Sequence, residues 1–132
     1  MAKIIWIDDN NYIMKSVIYP LQQAGHLVLA YRTPGEAREN MAEVRSADVI
    51  ILDMLLPDDK EMSEEHSYFG EQFFQELRET HHITAPIIAF TVRTDNALKQ
   101  RLKDLGAADI LHKPILPSKL KESVEAVLDK QP

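Results

Sequence analysis

The chain has 132 residues, 45% of them hydrophobic and 27% charged, which fits one folded domain and is the composition of a globular rather than a disordered protein. A formal charge of −6 argues against nonspecific nucleic-acid binding, and no apolar run approaches the roughly 20 residues that cross a bilayer. The apolar part of the N-terminus is too short for a signal peptide, and the absence of cysteine excludes disulfides and thiolate metal sites, as expected of a cytoplasmic protein.

Ile4-Ile5-Trp6-Ile7 is the first continuous apolar run, and Asp8 and Asp9 follow it directly. A helix is expected near Asn11–Ala24, kinked or broken at Pro20, which removes a backbone donor and crowds the preceding turn. Leu27-Val28-Leu29-Ala30 is the second run. Thr33-Pro34-Gly35-Glu36 then reads as a capping box with Pro34 at the first helical position, and Ala37, Met41 and Val44 follow on one helical face. Val49-Ile50-Ile51-Leu52 is the third run and ends at Asp53.

About fifteen residues, Met54–Tyr68, separate Asp53 from a helix starting near Tyr68–Gly70, where about 2–6 residues is common. They include the acidic stretch Asp58–Glu65, so an inserted acidic loop is expected at about 54–68. Ile87-Ile88-Ala89-Phe90 is the fourth run and ends at Thr91. Leu98, Leu102 and Leu105 mark another helix, with Gly106 placed to end it in a left-handed conformation. Ile110-Leu111 is a short fifth run, followed by His112-Lys113-Pro114. Pro117 and Ser118 open a last helix that presents Leu120, Val124, Val127 and Leu128.

Continuous rather than alternating apolar strands imply burial on both faces, the pattern of a parallel sheet between helical layers. Five such units with right-handed crossovers predict a single domain over 1–132, a doubly wound α/β fold. In an open parallel sheet the carboxyl ends of the strands share one edge, where ligands bind. Strands one, three, four and five would therefore deliver Asp8, Asp9, Asp53, Thr91 and Lys113 to one cleft. Taken singly, each is a polar residue beginning a loop; taken together, three carboxylates, a hydroxyl and an ammonium make a constellation.

Crowded carboxylates repel unless a cation neutralises them, and a set of oxygen ligands suits Mg²⁺. An ammonium beside the metal clamps transferring phosphoryl oxygens, which suits an aspartyl phosphate formed on Asp53.

WIDDN (6–10), ILDMLLP (51–57), AFT (89–91) and HKPILP (112–117) resemble the receiver domains of bacterial response regulators, over nearly the whole chain. The resemblance implies a (βα)5, flavodoxin-like, five-stranded parallel sheet of order 2-1-3-4-5. It implies Asp53 as the phosphoacceptor, and Asp9 as direct Mg²⁺ ligand with Asp8 assisting. Asp53 and the backbone carbonyl of Leu55 complete the metal set, and Thr91 and Lys113 bind phosphoryl oxygens. Lys113-Pro114 matches a dipeptide that is usually cis in the family. The implied phosphoryl donor is a histidine kinase or phosphotransfer protein, with neither membrane nor nucleic acid as partner of this domain. The domain itself would not be an enzyme, apart from self-catalysed phosphotransfer and slow autodephosphorylation.

Three positions depart from the family pattern. Ile110 stands where an aromatic switch residue is usual, Val92 stands where the residue after the threonine is usually small, and the acidic loop displaces Gly70 from its usual place. These departures support an alternative, a receiver-like interaction module working without phosphate. A phosphohydrolase with an aspartyl nucleophile is disfavoured, because Leu55 stands where such enzymes place a second aspartate. His66, His81 and His82 read as solvated rather than metal-binding, and Trp6 reads as a core residue.

Overall fold

The computed structural model describes residues 1–10, 15–55, 69–92 and 95–130. The strands are β1 (Lys3–Ile7), β2 (Leu27–Tyr31), β3 (Val49–Asp53), β4 (Ile87–Thr91) and β5 (Asp109–His112). The helices are α1 (Lys15–Gln23), α2 (Pro34–Glu39), α3 (Met41–Arg45), α4 (Phe69–Glu79), α5 (Asn96–Leu105) and α6 (Pro117–Asp129). All four strand pairings are parallel and the order is β2-β1-β3-β4-β5, as the resemblance implies.

Alternation along the strands builds two cores. Ile5, Ile7, Ile50, Leu52, Ile87 and Ala89 face the layer of α2–α5, while Ile4, Trp6, Val49, Ile51, Ile88 and Phe90 face α1 and α6. Both faces are covered, so every residue of β3 and β4 is buried, as continuous apolar runs require. Trp6 belongs to the second core.

Three local expectations are corrected. β2 has an apolar run but is not buried on both faces: it holds the sheet edge, is at most half-buried, and leaves Leu27 exposed. Of the kink or break expected at Pro20, the break does not occur: α1 runs continuously through it. The missing hydrogen bond costs about 3 kcal/mol. Ile18 and Leu21, buried on either side of the proline, each offset about 1.5–3 kcal/mol of it. The expected helix through Ala37, Met41 and Val44 is instead divided into α2 and α3 at Asn40. The Asn40 side-chain amide donates to the Glu36 carbonyl at 2.8 Å, taking the acceptor that its own backbone N–H would use in a continuing helix. All three apolar residues still face the first core.

The caps behave as the sequence indicates. Thr33 Oγ1 accepts from Glu36 N at 3.1 Å, and Glu36 reaches back to the N–H of Arg32. Gly106 ends α5 at φ 90°. α4 begins at Phe69, so the acidic insertion at 54–68 falls largely on residues 56–68, which lie outside the described residues.

Gly70 fixes how α4 seats beneath the end of β3. A Cβ there would stand 2.3 Å from Met54 Cα and 2.4 Å from the Asp53 carbonyl oxygen, so only glycine allows this approach. Gly70→Ala must push the helix off the strand end and should lower unfolding stability by about 1–3 kcal/mol. Urea denaturation checks this; an unchanged midpoint would mean that α4 shifts at no cost.

Candidate functional site

Strand register places the polar residues side by side. Ile7 pairs with Leu52, so Asp8 and Asp53 are the next positions on neighbouring strands. Asp53 pairs with Phe90 and Thr91 with His112, which puts Lys113 one step beyond the end of β5. The backbone holds these ends together: Asp8 N donates to Tyr31 O at 3.0 Å, Met54 N to Phe90 O at 2.9 Å, and Lys113 N to Thr91 O at 2.8 Å. The Lys113–Pro114 peptide is cis.

The cleft residues are largely buried. Asp8, Asp53 and Thr91 are 0–1% exposed, and Asp9 is partly buried. Ligand oxygens of Asp8, Asp9 and Asp53 lie within 4.8 Å of one another. Lys113 Nζ donates to Asp8 Oδ2 at 2.8 Å and stands 3.4 Å from Asp53 Oδ2, over the ring of Phe90. The second Asp8 oxygen accepts from Asn10 N at 2.8 Å, and Asp53 Oδ1 accepts from Leu55 N at 3.0 Å. Asp9 Oδ1 and Asp53 Oδ2 are buried without a hydrogen-bond partner among the described residues; the Lys113–Asp53 contact is an ion pair only.

Charge decides what this arrangement accepts. With all three carboxylates ionised, Lys113 leaves two negative charges uncompensated, the charge of one divalent cation. Burial, and next the neighbouring Asp8, push the Asp53 carboxyl up to about 7, against the opposing pull of Lys113 and the Leu55 N–H. Two buried oxygens without a hydrogen bond and an excess of two negative charges fit a hard divalent cation with oxygen ligands.

A sequence model of the response regulator receiver domain matches residues 4–125. The chain belongs to the response regulator receiver domain family. It is 29% identical over 126 residues to the alkaline phosphatase synthesis transcriptional regulatory protein PhoP of Bacillus subtilis, covering 96% of this chain and 48% of that protein. It is 34% identical over 114 residues to the transcriptional regulatory protein KdpE of Mycobacterium tuberculosis, covering 86% and 45%. The chain thus spans about half the length of these relatives. Among solved structures, Vibrio cholerae chemotaxis protein CheY4 is similar at 31% identity and a TM-score of 0.77, covering 96% and 98% of the two chains.

In this receiver domain Asp8, Asp9, Asp53 and Lys113 come together, Thr91 is buried at the end of the adjacent β4, and the acidic pocket fits a phosphoacceptor site. Leu55 also lies there, its N–H on Asp53. Ile110 is half-buried against the first core, and Val92 is 51% exposed. Sequence reasoning missed the pairing of Lys113 with Asp8 and the Phe90 ring beneath the ammonium. The β4–β5 register offered the signal for the ring; nothing local signals the pairing. His81 bonds Glu76, which Arg38 also grips, so this histidine serves a surface ion-pair network; His66 lies outside the described residues.

Because the Asp53 carboxyl is raised in the folded protein, the native state holds its proton more tightly than the unfolded chain. Its contribution to stability therefore falls as pH rises from about 4 to about 7 and stays unfavourable above that. Without metal, Asp53→Asn should be more stable than the parent by up to about 4 kcal/mol at pH 8, with the difference vanishing near pH 4. Urea unfolding in EDTA across this range measures it. A variant less stable at pH 8 contradicts the reading.

Proposed function

We propose that Asp53 is the phosphoacceptor of a phosphorylation-operated switch, charged by a histidine kinase or phosphotransfer protein in the cytoplasm. The observation that carries this reading is the buried Asp53 Oδ2, without a hydrogen bond, beside the Lys113 ammonium. Asp9, Asp53 and the Leu55 carbonyl would hold Mg²⁺, with Asp8 assisting. Bound Mg²⁺ would supply the positive charge that keeps Asp53 ionised at neutral pH and neutralises charge on the incoming phosphoryl group.

Asp53 Oδ2 attacks the phosphorus of a phosphohistidine; an O–P bond forms, the N–P bond breaks, and its electron pair returns to the imidazole. Lys113 is within reach of the oxygens gathering at Asp53, and the buried Thr91 sits on the adjacent strand to donate its hydroxyl. Hydrolysis of the acyl phosphate returns Asp53 slowly, so the domain acts as a switch rather than a turnover enzyme. No helix among the described residues is long and apolar enough to cross a membrane.

Acetyl phosphate with Mg²⁺ should add one phosphoryl mass to the protein, mapped to Asp53 and absent in Asp53→Asn. Asp9→Ala should lose most Mg²⁺ affinity by calorimetric titration. Label on another residue, or Mg²⁺ binding unchanged in Asp9→Ala, would falsify the site.

A second outcome concerns the readout. Ile110 is β-branched and half-buried, so it lacks the freedom of an exposed aromatic ring to swing inward. Beryllofluoride should therefore alter hydrogen exchange after Thr91 and across residues 54–68 more than in β5. Changes concentrated at Ile110 and α6 contradict this.

A further inference from the structure

β2 has the composition of a strand covered on both faces, yet it holds a sheet edge, with Ala30 exposed, Leu27 45% exposed, and Val28 and Leu29 half-buried. Edge strands normally carry a charge, a proline or a bulge that stops another strand from adding to them. β2 has none of these: LVLAY is uncharged and pairs with β1 in unbroken register. β5, at the opposite edge, is shorter and begins with Asp109.

The hydrogen bonds show which backbone groups of β2 point outward. Leu27 N donates to Ala2 O at 2.9 Å and Asp8 N to Tyr31 O at 3.0 Å, so Leu27, Leu29 and Tyr31 bond toward β1. By alternation Val28 and Ala30 turn their N–H and C=O groups away from the sheet. The outward row stops at the strand ends, because His26 N already donates to Leu21 O and Arg32 N to the Glu36 carboxylate.

This short row is self-complementary. Two copies laid antiparallel about a twofold axis at Leu29 place Val28 of each opposite Ala30 of the other, and both pairs exchange two N–H···O=C bonds. Each pair sets a larger side chain against a smaller one, beside the open cavity of about 690 Å³ that Val28 and Ala30 line with α1. On the other face Leu27 meets Tyr31, and Leu29 meets its own counterpart. No carboxylate of β2 enters the seam.

We propose that the chain pairs with a second copy of itself through antiparallel β2 strands, joining two five-stranded sheets edge to edge. Strand direction reverses across the seam, so the two carboxylate clefts face opposite ends of the dimer and both stay open. The pairing does not rest on phosphate chemistry at Asp53.

Sedimentation of the full chain at about 1 mM, where a Kd of about 0.1 mM already gives mostly dimer, should show twice the 15.1 kDa chain mass. Ala30→Pro removes an outward N–H that the sheet does not use, so it should fold and associate about tenfold more weakly or worse. The chain has no cysteine, so an introduced thiol reads the register. Leu29→Cys should form a disulfide-linked dimer under mild oxidation, since its Cα would lie about 4.5 Å from its counterpart. Leu27→Cys, at the more exposed position but about 14 Å along the strand from its counterpart, should not. If Leu29→Cys or Ala30→Pro loses spectral dispersion, a mixture of Leu27→Cys and Tyr31→Cys chains, opposite each other across the seam, should cross-link and decides. A chain that stays monomeric leaves the edge to a foreign strand and overturns the proposal. So does full association of folded Ala30→Pro, or Leu27→Cys alone cross-linking as readily as Leu29→Cys or as the mixture.

Discussion

The pairing of Lys113 with Asp8 and Asp53 is the interaction on which the rest of the site depends. Two carboxylates buried side by side cost several kcal/mol each to desolvate. The Lys113 ammonium, at 2.8 and 3.4 Å, and the N–H groups of Asn10 and Leu55 offset part of that cost. They do not offset all of it, which is why the Asp53 carboxyl stays raised. Full compensation would leave a stable internal ion cluster with no affinity for a cation or a phosphoryl group. The residual charge is what makes the cleft receptive.

The fold exists, in functional terms, to hold that imbalance in place. Parallel register brings Asp8 beside Asp53, and the buried strands β3 and β4 give their ends little freedom. Gly70 lets α4 close against the Asp53–Met54 backbone from one side. The hydrogen bond from Lys113 N to Thr91 O ties the ammonium-bearing loop to the threonine strand from the other. A cluster this strained in charge persists because the apolar layers around it bury far more surface than the carboxylates cost.

What the sequence made legible follows from where each signal is stored. β1, β3 and β4 announce themselves because burial on both faces leaves no room for polar alternation, and the polar residue after each run marks the common edge. β2 carries the same composition but holds an edge, and edge position is a property of strand order that no local run encodes. Asn40 divides a helix whose apolar spacing is uninterrupted, because the competition is between one side-chain amide and one backbone N–H. The cap at Thr33 and the left-handed Gly106 are legible for the opposite reason, since there the residue type alone suffices. The Lys113–Asp8 bond joins residues 105 positions apart and depends on side-chain placement across four strands, so only the assembled structure reveals it.

The same pairing constrains how a signal leaves the proposed switch. A phosphoryl group on Asp53 would introduce oxygens that compete with Asp8 for the Lys113 ammonium, and the carboxylate would be consumed in the mixed-anhydride bond of an acyl phosphate. The backbone of Lys113 is hydrogen-bonded to that of Thr91, so the two residues that would meet the phosphoryl group leave from one tied pair of strand ends. In β5 a shift there meets Ile110, whose side chain packs on the first core in a narrow choice of rotamers. A packed, stiff residue resists a graded displacement, so the easier path runs toward the exposed Val92 and away from the sheet. A ligand moves a conformational equilibrium only by its differential affinity for the two states. In the proposed switch the differential contacts would lie at the Lys113 ammonium and the Thr91 hydroxyl, which would direct the readout to the surface after Thr91.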